Sequence, residues 1–318
     1  ALEKVGVTVN PTLWDFYATG AGKDYTRANG GTVSTASATT AEVPWDVYTD
    51  DVKSSVAQYG DAAIVTLSRV GGEGADLSYG EVNYLALDDN EKSMLENLAS
   101  MKKNGEIKSI IVLINSANAL QVDFLKNNDY DVDAALWIGD VGISGINAVA
   151  QILVGDVNPS GSLVDTYCYD NYSAPSVYDG YVEGGDVPAK GSTYMIYQEG
   201  IYVGYKYYET RYEDYVMGAG NAGDYAYGDI VAYPFGYGLS YTDFKFSDMT
   251  VNYNDALDVY TVAVKVTNTG AVAGKRTVQL YVQSPYTDYD KQNGVEKAAV
   301  ALVGFGKTGE LAPGTSEI

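Results

Sequence analysis

The sequence contains no histidine and a single cysteine, and both absences narrow its possible chemistry. Without histidine, Ser–His–Asp and Cys–His catalytic arrangements and all His-ligated metal sites are excluded. Cys168 alone forms neither an internal disulfide nor a thiolate metal cluster, and we interpret it as a small buried apolar residue. Any acid–base chemistry must therefore come from carboxylates, lysine or tyrosine.

Positive charge is scarce too, since 42 Asp and Glu outnumber 20 Lys and Arg and the formal charge is −22. We expect no nucleic-acid partner, because binding phosphate requires a basic face, and an acidic membrane surface would repel the chain. The longest apolar runs, IIVLI and AALWI, are far shorter than a membrane span of ~18 residues. Acidity, 30 tyrosines and the second domain described below favour an extracytoplasmic location, secreted or cell-surface, with a cytoplasmic one as the alternative.

The 318 residues, 46% of them apolar, are enough for a sizeable core and predict two domains. In the first part, short apolar runs alternate with helix-like segments, which predicts βαβ units and a mostly parallel sheet covered by helices. Asp88 or Asp89 is predicted to cap the first of these helices, and Gly105 to end it. Strands are predicted over 61–68, 109–115, 132–139 and 162–167, and helices over 85–105, 118–127 and 142–155.

Beyond residue 170 the pattern changes twice. Residues 170–242 are rich in Gly, Tyr and Asp, which predicts long loops and a short helix near 202–216. From 246 onward, β-rich runs alternate with Gly, Asn and Pro turns, which is typical of an antiparallel β-sandwich. We therefore place an α/β domain at residues 1–243 and an incomplete β-sandwich at 244–318. Both ends look unfinished, so we expect a fragment or a processed piece.

Phosphate-binding and calcium-binding motifs fail at single positions. A GxGxxG motif beginning at Gly72 requires glycine where the chain has Leu77, and no GxxxxGK[ST] loop occurs. Asp129, Asp131 and Asp133 are spaced like calcium ligands, but Ala134 stands in place of the turn glycine. We expect no nucleotide, no metal and no other cofactor.

Residues 68–80, SRVGGEGADLSYG, present one glutamate, Glu73, between two glycines just after a predicted buried strand. Glycines there let the backbone adopt positive φ angles and let another molecule come close. Such a carboxylate is either a solvated loop residue or a functional group, and the local sequence leaves both interpretations open.

Six segments, in order along the chain, carry a specific resemblance: DAAIVTLSRVGGEGADL, LALDDNEKSMLENL, SIIVLINSANAL, VDAALWIGDVGISGINAVAQILVGDVNPSGSLVDT, YQEGIYVGYKYYETRY and AYPFGYGLSYTDFKFSD. Together they resemble the α/β-sandwich domain of glycoside hydrolase family 3, the β-glucosidase family. The later segments VKVTNTGAVAGKRTVQLYV and LVGFGKTGELAPGTS resemble the fibronectin-III-like domain of that family. The resemblance covers nearly everything after about residue 60.

The resemblance implies part of a retaining β-glycosidase that acts on β-linked oligosaccharides or glycosides. Family members carry an aspartate nucleophile on a (β/α)₈ barrel, which is absent from this sequence. The segment YQEGIYVGYKYYETRYED resembles that of a subgroup with inverted domain order, in which the barrel follows the sandwich domains. This implies further sequence beyond Ile318, and it makes the protein's own barrel the main partner of this chain.

The resemblance also assigns the general acid/base to Glu73, because many bacterial members place that glutamate in a GEG-x-D loop. A retaining mechanism requires the two carboxyl groups ~5–5.5 Å apart, with the pKa of the acid raised so that it starts protonated. Leu77 departs from the family pattern, since many members carry arginine there. Arg69 and Asp76 are candidate substrate-binding residues, with a loop-bracing ion pair as the alternative.

Two other classes of function stay open. The tyrosines, the fibronectin-like domain and the missing barrel also suit a non-catalytic carbohydrate-binding or cell-surface structural module. A nucleotide-binding enzyme of doubly wound fold would reveal itself by nucleotide-dependent thermal stabilisation, which we do not expect. Burial preferences favour packing over a sugar site for the tyrosine cluster Tyr202, Tyr205, Tyr207 and Tyr208.

Overall fold

The computed structural model describes residues 1–25, 40–71, 84–178, 196–219 and 222–318. The chain forms two compact units. The first unit comprises residues 1–154 and 167–171, and the second comprises residues 155–166 and 172–318. The boundary predicted at 243/244 falls within the second unit, and the assignment of domains on either side of it stays a prediction.

The first unit is organised around a parallel sheet of three strands in the order β1-β2-β3. These strands are the continuous apolar runs of the sequence, and β2 at the centre is the most buried of them. The elements of the unit are α1 (Pro11–Ala18), α2 (Asp50–Val56), β1 (Ala63–Ser68), α3 (Asp89–Lys103), β2 (Ile110–Asn115), β3 (Ala134–Trp137), α4 (Gly142–Leu153) and β4 (Tyr167–Cys168).

Helix α3 connects β1 to β2, and its two ends follow the sequence signals. Asp88 caps it, as one of the two predicted candidates, and the left-handed Gly105 (φ 78°) lies just beyond its end. Its apolar stripe, Met94, Leu95, Leu98 and Met101, is buried. By contrast, the helix predicted over 118–127 is only a short 3₁₀ turn, Asp123–Leu125.

The N-terminal part of the first unit has its own apolar cluster. Asn10 and Thr49 cap α1 and α2 by accepting backbone N–H groups through their side chains. The cluster is formed by Phe16, Val43, Tyr48 and Val52, with Leu13, Trp45 and Val47 packed against it. Sequence periodicity did not predict either helix, because each is a short element held mainly by this packing.

The second unit contains antiparallel sheets, as the β-rich runs predict. One sheet has the order β10-β7-β6 and another pairs β8 with β9. The parallel sheet with helices and the antiparallel strands that follow confirm the predicted fold class. The elements of the unit are α5 (Tyr205–Met217), α6 (Tyr227–Ile230), β5 (Val231–Tyr233), β6 (Phe244–Asn254), β7 (Val259–Asn268), β8 (Thr277–Val282), α7 (Asp288–Asn293), β9 (Ala301–Lys307) and β10 (Ser316–Glu317).

The strand predicted over 162–167 is wrong for all but its last residue, which belongs to β4. Leu163 instead donates its N–H to the Tyr237 carbonyl and accepts one from Gly236. That partner segment is an irregular turn, so the pairing does not continue as a ladder. A Cβ at Gly238 would lie 2.3 Å from the Gly161 carbonyl oxygen, so the two backbone segments approach each other closely here.

The tyrosine cluster confirms the packing interpretation at two positions. Tyr208 is buried, and the Tyr205 ring lies 4.7 Å from that of Phe235. The Tyr205 hydroxyl accepts the Leu302 N–H of β9 at 2.9 Å. These contacts attach α5 to the β8–β9 sheet within the second unit. No helix in the described ranges is both long and apolar enough to span a bilayer.

Candidate functional site at the carboxyl edge of the parallel sheet

The carboxyl ends of β1, β2 and β3 lie together at one edge of the first unit's sheet, because the strands are parallel and in register. In open α/β sheets this edge is where ligands bind. In the sequence, three residues separate segment 72–83 from the end of β1 at Ser68, and the segment ends just before Tyr84. Glu73 and Asp76 belong to that segment and lie outside the described residues.

Arg69, the first residue after β1, is buried, with a side chain that is 0% exposed. Its guanidinium binds Glu91 in a bidentate pair, with both N–O distances 2.7 Å. The remaining N–H groups donate to the carbonyls of Ser68, Tyr84 and Ala86. All five guanidinium donors are therefore used within the first unit.

Tyr84 makes a second connection across segment 72–83. Its buried hydroxyl accepts the Val70 N–H at 2.9 Å, and its ring lies 5.5 Å from the Arg69 guanidinium carbon. Residues on both sides of the segment are therefore held together by side chains. We call this group the segment base, defined as Arg69, Val70, Tyr84, Ala86 and Glu91.

Glu91 joins the segment base to helix α3. It occupies the third helical position of a capping box, where its N–H donates to the Asp88 carboxylate at 2.7 Å. Its own carboxylate accepts the Asp88 N–H at 3.0 Å as well as the Arg69 pair. The first turn of a helix favours negative charge, so this carboxylate is stabilised by the helix N-terminus and the guanidinium together.

A second carboxylate, Glu42, lies close to this helix start. Burial raises its pKa above the ordinary 4.5, although the Val43 N–H and the Tyr48 hydroxyl both donate to it. Burial also raises the pKa of Tyr17 to about 12, and the nearby Glu42 charge adds to that effect. These phenols stay protonated at neutral pH, so they act as hydrogen-bond donors and not as bases.

The other strand ends at this edge are joined by polar contacts. Ser68 donates its hydroxyl to the Asn115 side-chain oxygen at 2.9 Å, and Asn115 donates to the Gly139 carbonyl. The indole N–H of Trp137 donates to the Ser116 carbonyl at 2.8 Å. A Cβ at Gly71 would lie 2.7 Å from the Asn118 side-chain oxygen, so a side chain at position 71 would require the Asn118 side chain to move.

The acidic run at the opposite, amino edge of the sheet makes contacts with a lysine. Lys102 Nζ lies 2.7 Å from Asp133 and 3.1 Å from Asp131. Within the described ranges, no group of three or more His, Cys, Asp or Glu side chains is arranged to hold a metal ion.

Residues 13–205 match the family model of the glycosyl hydrolase family 3 C-terminal domain. The chain belongs to glycosyl hydrolase family 3. It is 33% identical to a β-glucosidase of Ruminococcus albus, over 86% of this chain and 24% of that protein. It is 32% identical to β-glucosidase A of Butyrivibrio fibrisolvens, over 84% of this chain and 32% of that protein. The chain thus spans about a quarter to a third of these relatives.

Solved β-glucosidase structures have the same fold. A β-glucosidase from Paenibacillus barengoltzii superposes with a TM-score of 0.72 at 29% identity, covering 98% of this chain and 30% of that one. β-Glucosidase 3B from Thermotoga neapolitana, solved in complex with α-D-glucose, gives 0.67 at 31% identity, covering 87% and 34%.

For this family 3 chain, the sequence-predicted site residues divide into two groups. The acid/base role of Glu73 and the substrate role of Asp76 stay predictions, because both residues lie outside the described ranges. Arg69 is placed in the segment base, with Glu91 as its ionic partner, and substrate binding by Arg69 also stays a prediction. Sequence reasoning missed Glu91 and Tyr84. The visible signal for Glu91 was the D-x-x-E pattern of a capping box at the start of α3.

Proposed function

We propose that this chain supplies the general acid/base of a retaining β-glycosidase that removes terminal β-D-glycosyl residues. Glu73 is the acid/base, and the aspartate nucleophile belongs to a (β/α)₈ barrel outside this sequence. The observation that carries the proposal is the family 3 match over residues 13–205, which includes the GEGAD motif. β-Glucosidases matching more than 80% of the chain support the substrate class.

The proposed reaction is a double displacement. The barrel aspartate attacks the anomeric carbon while the Glu73 carboxyl gives its proton to the departing glycosidic oxygen. The Glu73 carboxylate then takes a proton from water, whose oxygen attacks the anomeric carbon and releases the aspartate. The substrate is a β-linked oligosaccharide or glycoside, and the partner of this chain is its own barrel.

The composition supports a carboxylate in this role, because the chain has no histidine to act as acid or base. The carboxyl end of β1, which precedes segment 72–83 in the sequence by three residues, lies at the edge of a parallel sheet where ligands bind, and this supports the proposal as well. Since the nucleophile is elsewhere, the chain alone should show essentially no turnover. A secreted or cell-surface location and the fibronectin-III type of the second domain belong to the same proposal.

The test is chemical rescue of Glu73→Ala in the protein that joins this chain to its barrel. With a dinitrophenyl β-glucoside, whose leaving group needs no proton, azide should restore turnover and give the β-glycosyl azide. With an alkyl β-glucoside, the variant should lose about 10²- to 10⁴-fold in kcat/KM, the usual contribution of a general acid.

The matched control is Glu96→Ala, which removes an exposed glutamate from α3. Wild-type rates are expected for it with both substrates. If Glu73→Ala also hydrolyses both substrates at the wild-type rate, the acid/base assignment is wrong. If the chain then bound sugar although Glu73→Ala left the rate unchanged, this would favour the alternative function as a non-catalytic carbohydrate-binding module.

A further inference from the structure

The segment base joins the residues that flank segment 72–83 in the sequence. We propose that Arg69, Glu91 and Tyr84 are positioning residues for Glu73 and that none of them contacts the sugar. This inference rests on the proposed function, because Glu73 must be the acid/base for its position to matter.

The donors of the Arg69 guanidinium are all in use. All five N–H groups have acceptors inside the first unit, and the side chain has no exposed surface. A hydrogen bond to a sugar hydroxyl would require Arg69 to give up one of these acceptors and leave it unpaired, which costs about 1–3 kcal/mol in a buried site. The geometry therefore favours an internal role for this guanidinium.

The acceptors of Arg69 are placed on both sides of segment 72–83 in the sequence. Arg69 precedes segment 72–83, whereas Tyr84, Ala86 and Glu91 follow it, so each contact brings the two flanks together. The Val70 N–H to Tyr84 hydroxyl contact does the same with a different pair of atoms. The two flanks are thus held by both charged and neutral bonds.

Glu91, the ionic partner of Arg69, is itself held in place by helix α3. Its carboxylate is 3% exposed and takes part in the capping box of the 15-residue helix α3. The segment base is therefore built on a helix start and a strand end, which are more rigid supports than a loop. A general acid needs such support, since a displacement of about 1 Å can cost about 10²-fold in rate.

The test uses three conservative variants in the protein that carries the barrel. Tyr84→Phe removes only the hydroxyl that accepts the Val70 N–H. Glu91→Gln keeps a residue suited to the capping box and removes the charge. Arg69→Lys keeps the charge and removes the bidentate geometry.

The readout is the dependence of kcat/KM on the leaving group, which a purely structural role would not change. We expect each variant to lose about 10- to 100-fold with an alkyl β-glucoside and less than about 3-fold with the dinitrophenyl β-glucoside. The inhibition constant of glucose should stay unchanged. The double variant Arg69→Lys/Glu91→Gln should lose less than the product of the two single losses, because both remove one interaction.

Asp133→Asn is the control, since it weakens the Lys102 pair at the opposite edge of the same sheet. It should leave the leaving-group dependence unchanged. If Arg69→Lys lost kcat/KM equally with both substrates and was inhibited less strongly by glucose, Arg69 would be shown to bind the sugar. That result would overturn the proposal. The proposal would also be overturned if Tyr84→Phe and Glu91→Gln left the leaving-group dependence unchanged, as Asp133→Asn should, while Glu73→Ala showed its expected defect.

Failure of the proposed function is separable, because it is read from Glu73→Ala alone. A second measurement needs only this chain: hydrogen exchange of peptides covering residues 68–88. Exchange there should be faster in Tyr84→Phe and Glu91→Gln than in the wild type, and unchanged in Asp133→Asn. Unchanged exchange in all three would also contradict a positioning role, including in the case that Arg69→Lys does not fold.

Discussion

Two helices of the molecule begin with a capping box, one in each unit. In α3 the box is formed by Asp88 and Glu91, and in α7 by Thr287 and Asp290. In both, the acidic residue at the third helical position also binds a cation at 2.7 Å, Arg69 in one unit and Lys297 in the other. The local motif is thus the same twice, and the two surroundings differ.

The difference lies in the cation and its burial. The Arg69 side chain is fully buried and donates to five acceptors. The Lys297 side chain, by contrast, is 31% exposed and binds Asp290 and the Pro285 carbonyl. A planar guanidinium fixes direction as well as distance, and an ammonium on a flexible chain fixes only distance. The α3 box therefore orients neighbouring backbone, while the α7 box mainly secures its own helix.

The largest expected effect is that of Arg69→Met, which leaves Glu91 buried without its cation. Breaking a buried pair in this way costs about 3–5 kcal/mol of unfolding free energy. Urea unfolding followed by tryptophan fluorescence measures it, because the three tryptophans, Trp14, Trp45 and Trp137, are all in the first unit. A loss below about 1 kcal/mol would show that the pair is not the main support of the segment base.

An intermediate effect is expected from removing each helix cap. Asp88→Ala and Thr287→Ala should each cost about 0.5–2 kcal/mol. The loss should be larger for Asp88, because it also accepts the Thr40 hydroxyl. Hydrogen exchange of the first turns of α3 and α7 compares the two in one sample. Equal losses would mean that the hydrogen bond from the Thr40 hydroxyl adds nothing to the α3 cap.

The smallest effect on stability at neutral pH is expected from breaking the Asp290–Lys297 pair of the α7 box. The contribution of this pair to stability changes only at acidic pH. The Lys297 hydrogen bond, helped by Thr287, lowers the pKa of Asp290 from 3.8 to about 2. A lowered folded pKa contributes stability that is present above pH 3.8 and is lost as the pH falls towards 2. Lys297→Met should bring this pKa back towards 3.8, as measured by NMR titration of the Asp290 carboxyl. A titration that does not move would assign the shift to the Thr287 cap alone.

Much of the first unit was predictable because its signals are local. The strands β1, β2 and β3 are short continuous apolar runs, and α3 carries both a cap and a helical stripe. The prediction over 162–167 failed for the opposite reason. Its apolar and β-branched residues suit a strand, but the partner of Leu163 is the turn at Gly236 and Tyr237, about 75 residues further along.

The candidate site divides in the same way. The sequence alone restricted any acid–base chemistry to carboxylates, lysine or tyrosine, since histidine is absent, and it singled out Glu73 by its glycines and by the family 3 resemblance. Only the tertiary structure decided that Arg69 binds Glu91, 22 residues away and beyond segment 72–83. An ion pair of this kind depends on two flanks meeting in space and on the loss of water around them. Neither condition is encoded in the spacing of the residues.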